Sequence, residues 1–243
     1  MGPDNPLVWL LTGIGFLSSL ISATFGIGGG PLILVVLGLT LPVSAMVPLH
    51  SALALGLLTA RLWHFRRHID WYIVRVFVPG ALIGVLLGAR VYVAMPAQYI
   101  AAAVSLLIMG TVWFPAVRWR PFLPHPFFFV GVIHAFLSTL FSFGGLLQPL
   151  MIRTRLDRMQ IIGTLSMALG VMTLIKTVSY AAYGFDYRPY AWIIAGVVLA
   201  SFPGARAGKA LARRFREDRF RLAFRLVMTF LALRLMYKAL TIT

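Results

Sequence analysis

Apolar residues run from Leu7 to Leu240 in long stretches, and the interruptions are short: a proline, a glycine cluster or a knot of arginines. Periodicity says little where a helix is apolar all round, so length and breaks carry the reading. Between the breaks the chain predicts helices over 7–25, 27–41, 43–62, 72–93, 97–114, 126–142, 144–152, 159–183, 189–205 and 220–241. Most approach the roughly 20 residues that a helix needs to cross a hydrocarbon core of about 30 Å. Two, 27–41 and 144–152, are too short to span comfortably, and each follows a glycine cluster. These are Phe25-Gly26-Ile27-Gly28-Gly29-Gly30 and Phe141-Ser142-Phe143-Gly144-Gly145-Leu146. The expected fold is an all-α polytopic membrane protein with Gly-rich discontinuous or re-entrant helices.

Composition agrees. Of 243 residues, 60% are apolar and 12% charged, against about 25% charged in soluble domains, which leaves no room for a soluble domain. The first stretch has no basic region before it and no cleavage-like end, so it reads as a permanent helix rather than a signal peptide. The net charge of +16 comes from 22 Lys and Arg lying mainly between apolar segments. Lipid headgroups and membrane orientation account for them better than nucleic acid does. The absence of cysteine excludes disulfides, thiolate nucleophiles and Cys-based metal sites.

The paired glycine clusters point to an internal duplication. Gly15, Ser22, Phe25 and Gly28-Gly29 fall on Gly131, Ser138, Phe141 and Gly144-Gly145 at a constant offset of 116. Ser51 and Arg61 fall on Ser166 and Lys176 at an offset of 115, and Pro79-Gly80-Ala81-x-x-Gly84 is matched by Pro203-Gly204-Ala205-x-x-Gly208. The expected division is a first membrane repeat over 1–118, a short connecting loop over 119–125 and a second repeat over 126–243.

Equivalent loops carry opposite charge bias. Arg61, Arg66 and Arg67 have a counterpart holding Asp186 and Arg188; the uncharged loop at 41–44 has one holding Arg153, Arg155 and Arg158. The uncharged loop at 94–97 is matched by 206–221, which carries Arg206, Lys209, Arg213, Arg214, Arg216, Arg219 and Arg221. If basic loops are cytoplasmic, the two repeats are inverted and the N-terminus lies outside, whether 27–41 crosses fully or returns. Arg234 and Lys238 run against this scheme.

Inverted repeats built on broken helices are how many transporters form a site near the bilayer midplane. Glycine lets the backbone break and brings free N–H groups close to a ligand, and a helix starting there presents a partly positive end. Gly28, Gly29, Gly30, Gly144 and Gly145 are therefore candidates for binding an anion, with close helix packing as the plain alternative. Lys176 lies well inside an apolar segment and is the main fixed positive charge; Arg61, nearer a helix end, reads as snorkelling. Ser51, Gln148 and Ser166 are candidate donors to oxyanion oxygens, as are Ser22, Ser138 and Thr164. A membrane Ser or Thr more often bonds its own helix.

His50 and His134, the histidines inside apolar segments, are candidate proton carriers or else packing residues. All six acidic residues, Asp4, Asp70, Asp157, Asp186, Glu217 and Asp218, fall in termini or loops, so a buried-carboxylate proton or sodium relay is not expected. No catalytic residues, cofactor or metal are expected either: there is no His-Glu-x-x-His, no Gly-x-Ser-x-Gly and no membrane carboxylate pair.

The break from Phe25 to Pro31, its copy from Phe141 to Pro149, the basic loop Arg61 to Asp70 and the glycine spacing from Gly80 to Gly88 resemble the TauE/SafE sulfite exporter family, also called the 4-toluene sulfonate uptake permease family. The likeness covers nearly the whole chain. It implies a secondary transporter of the bacterial inner membrane, an exporter on this reading, carrying small sulfur-containing anions such as sulfite, sulfonates or sulfoacetate. Membrane lipids are the other expected partners, and a homo-oligomer is left open. The second break, Ser142-Phe143-Gly144-Gly145-Leu146, is thinner in glycine than the first. An anion channel with the same site and a structural membrane protein are the alternative readings.

Overall fold

The computed structural model describes residues 2–25, 29–113, 125–142, 146–211 and 217–241. Among these it is helical throughout, and the bounds follow the apolar runs closely. The helices are α1 (Pro6–Phe25), α2 (Gly29–Thr40), α3 (Val43–Phe65), α4 (Trp71–Ala94) and α5 (Ala97–Trp113), then α6 (Pro126–Phe141), α7 (Leu147–Met151), α8 (Arg158–Ala182), α9 (Ala191–Leu211) and α10 (Glu217–Thr241). A 3-10 turn, Arg188–Tyr190, leads into α9. Among the described residues, four segments are long and apolar enough to cross a membrane: Pro6–Thr24, Trp71–Ala94, Met159–Ala182 and Arg188–Gly208. Shorter apolar helices accompany them, among them Gly29–Thr40 and Pro126–Phe141. The protein is a multi-pass membrane protein.

Acidic residues mark helix starts. Asp70 caps α4 by accepting from the Ile73 N–H at 3.1 Å. Asp157 and Gln160 form a reciprocal capping box at the start of α8, satisfying two of the donors that a helix N-terminus leaves open. Asp186 accepts from the Arg188 N–H at 2.9 Å in the turn before α9. These carboxylates are accounted for by local backbone, as their positions in loops predict.

The chain divides into two compact units that each draw helices from both halves of the sequence. The first comprises Met1–Leu53, Pro96–Pro115 and Asp186–Thr243; the second comprises Ala54–Met95 and Ala116–Phe185. In the first, α1 lies along α9, α10 along α5, and α2 touches α1 and α10. In the second, α4 lies along α6 and also packs on α8, around a core that includes Phe77, Ala81, Val85, Val130, Ala135, Leu147 and Met172.

Glycine rows explain the two tightest pairings. On α4, Gly80, Gly84 and Gly88 recur every four residues, so they share one face, and a Cβ on any of them would press on the backbone oxygen of Phe128, Val132 or Phe136 of α6. In the first unit Gly204 and Gly208 of α9 meet the carbonyls of Phe16 and Leu20 of α1 in the same way. Without a hydrophobic drive between helices in lipid, this close van der Waals approach is what holds them together. By these contacts Gly84 corresponds to Gly204 and Gly88 to Gly208, an offset of 120; the Pro-Gly-Ala match in the sequence would set it at 124. The motif match is thus one helical turn out of the packing register.

Candidate functional site

The chemistry concentrates where α6 ends and the second glycine cluster begins. At the C-terminus of α6 the last carbonyls have no helical partner, and Ser142, in the left-handed region at φ 54°, turns the chain away while its N–H bonds the Ser138 carbonyl at 2.8 Å. Helix α8 runs past this end and supplies two further donors one turn apart. The Lys176 ammonium donates to the Ser138 carbonyl at 2.7 Å, and the Tyr180 hydroxyl donates to the Thr139 carbonyl. Lys176 also reaches the Ser142 hydroxyl, at 3.4 Å. The Tyr180 ring is fixed in turn by an edge-on contact with Tyr92 of α4, 5.3 Å between centroids.

Lys176 is 3% exposed, and its partners are a carbonyl and a hydroxyl, with no carboxylate among the described residues. The partly negative end of α6 offsets some of its charge, because the helix dipole is worth about half an elementary charge at its C-terminus. The remainder is uncompensated. A buried cation without a counter-ion is costly.

His134 stands one turn before Ser138 on α6. It is fully buried, neither ring nitrogen has a hydrogen-bond partner, and its ring lies 6.2 Å from that of Phe77 at an inclined angle. Its counterpart at the 116-residue offset is Ser18, whose buried hydroxyl likewise has no partner among the described residues. The two halves therefore carry a buried polar side chain without a hydrogen-bond partner among the described residues at matching sequence positions of α1 and α6.

The other predicted residues fall out as follows. Gly28, Gly144 and Gly145 lie outside the described residues, as does the Arg61 side chain. Gly29 and Gly30 form the first turn of α2. A Cβ at Gly29 would collide with the Ser18 carbonyl of α1, so close packing requires glycine there. At Gly30 it would stand 3.8 Å from His50 Nε2, which makes those two neighbours. The hydroxyls of Ser51 and Ser166 donate to carbonyls of their own helices, Pro48 at 2.6 Å and Ile162 at 2.7 Å. Their single O–H is thus taken, and an oxyanion would have to displace it. Thr164 accepts from the Asp70 N–H at 2.8 Å, tying α8 to the start of α4.

Gln148 is exposed on α7, which is only five residues long. So short a helix sums few peptide dipoles, and the glycines expected to open it, Gly144 and Gly145, lie outside the described residues. What sequence reasoning missed is Tyr180 and Ser142. Tyr180 had a readable signal, being four residues beyond Lys176 and so on the same face of α8. The role of Ser142 depends on a left-handed conformation that its residue type does not announce.

A family-wide sequence profile described as Sulfite exporter TauE/SafE matches residues 11–235. A protein of Xylella fastidiosa (strain 9a5c) named "Probable membrane transporter protein" is 26% identical over 221 residues, covering 83% of this chain and 82% of its own length. No solved structure matches.

Proposed function

The chain belongs to the TauE/SafE sulfite exporter family and is a membrane transporter, and from this premise we propose that it exports small sulfur-containing anions, sulfite, sulfonates or sulfoacetate, across the bacterial inner membrane. Lys176 is the fixed positive charge that receives them. The observation that carries this reading is the buried ammonium on the Ser138 carbonyl, at the C-terminal end of α6, with no carboxylate partner among the described residues. On arrival the anion takes over part of the ammonium's hydrogen bonding, and the Ser138 carbonyl keeps its bond from the Ser142 N–H. The ammonium is therefore free to turn toward substrate without leaving the carbonyl unsatisfied.

Export suits this charge distribution. An anion leaving a cell that is negative inside gains about 2.3 kcal/mol per charge per 100 mV, so no coupling ion is needed. The recurrence of glycine-against-carbonyl packing in both units supports duplication, and the opposite charge bias of equivalent loops supports inverted repeats with the N-terminus outside.

Ligand-dependent thermal unfolding of the purified protein tests the substrate class, because ligands that bind the folded state raise its apparent stability. Sulfite, sulfoacetate or a simple sulfonate raises the midpoint, chloride and nitrate at equal ionic strength do not, and Lys176→Met abolishes the shift. A folded protein that responds to none of the sulfur anions would overturn the substrate assignment.

A further inference from the structure

The C-terminal end of α2 presents backbone carbonyls to the ammonium of Lys238, a lysine of α10 that is only partly buried. α2 is twelve residues long and stops at Thr40, leaving its last carbonyls without helical N–H partners. Three backbone oxygens of this turn converge on the Lys238 ammonium from α10: Gly38 at 2.7 Å, Leu41 at 3.0 Å and Leu39 at 3.4 Å. An ammonium has three N–H donors and no acceptor, so three carbonyls match it. The neighbourhood is close-packed: Leu37, Leu41, Leu235 and Ala239 are buried, and Gly38 lies directly against Met46 and Leu235. This placement also explains why Lys238 runs against the charge rule that orients the loops. It neutralises a helix end rather than marking a cytoplasmic face.

Carbonyl oxygens at the C-terminal ends of broken membrane helices are the groups that bind coupling sodium ions in secondary transporters, because hard cations take oxygen ligands and the helix dipole is negative there. We propose that the Lys238 ammonium occupies such a monovalent-cation site permanently, so that this protein is indifferent to sodium and potassium. Removing the lysine side chain would then expose a site that binds either ion. The inference does not depend on which anion is carried.

Thermal unfolding of the full chain in detergent, in sodium, potassium or choline chloride at equal ionic strength, tests it. The wild-type midpoint is expected to be the same in all three salts. Lys238→Met is expected to unfold about 5 °C lower in choline, since hydrogen bonds to a charged group are lost, and to recover selectively when sodium, potassium or methylammonium is added. Lys238→Gln, whose amide keeps two N–H donors but no charge, gives a smaller version of the same response and serves if the methionine variant does not fold. A wild-type midpoint that rises in sodium over choline would overturn the proposal. So would variants whose stability none of the three cations restores.

Discussion

Lys176 is where the physical argument is sharpest, because a single charge sits in apolar surroundings with only dipolar partners. Replacing it with methionine removes the charge while the Ser138 carbonyl keeps its Ser142 N–H bond, so the protein is expected to fold. Truncating one side of a buried charge interaction costs about 2–5 kcal/mol, so anion affinity should fall by on the order of 100-fold or more. Equilibrium binding of labelled sulfite checks this. Tyr180→Phe acts differently. It leaves the Thr139 carbonyl without its Tyr180 donor, which costs about 1–3 kcal/mol and should lower the unfolding midpoint by roughly 2–10 °C while Lys176 keeps its charge. Lys176 was legible in the sequence because a lysine deep in an apolar run is unusual. Tyr180 was not, because tyrosine is common in membrane helices and its partner is a backbone atom 41 residues away.

At the scale of the helices, the sequence was most informative about extent and least about register. The apolar runs predicted ten helices, and the observed ends differ by a few residues, with two instructive exceptions. α9 continues to Leu211, past the predicted 205, because Arg206 interrupts apolarity without interrupting helix formation. Of the stretch 144–152, the described residues form the five-residue helix α7, which ends before the arginines Arg153 and Arg155. Which faces meet depends on a fit of glycine against carbonyl that a motif search places one turn away. Gly84→Leu should therefore prevent α4 from seating on the Val132 carbonyl and abolish folded protein, measured as a monodisperse peak in detergent. Gly170→Ala, on α8, where a Cβ would meet nothing within 4 Å, should instead raise the midpoint slightly, since alanine is the better helix former by about 1 kcal/mol.

For the whole molecule, the duplication seen along the chain and the two compact units describe different things. Each unit combines helices from both sequence halves, so the compact units cut across the boundaries expected from the duplication. The proposed orientation rests on charge alone, and the cysteine-free chain makes it directly measurable. Single cysteines at Asn5 and Gly184 should react with an impermeant thiol reagent from outside intact cells, and those at Arg67 and Arg155 only after permeabilisation; the reverse pattern would invert the topology.

Sulfite efflux from proteoliposomes, with an inside-negative potential imposed across the membrane, puts the proposed activity most directly at risk. Wild-type protein oriented in loaded vesicles should release sulfite faster as the potential grows, saturably with internal concentration, and without sodium on either side. Lys176→Met should reduce that release to near the protein-free leak. Equal efflux from wild-type and Lys176→Met vesicles holding the same amount of folded protein would contradict the role of the buried lysine.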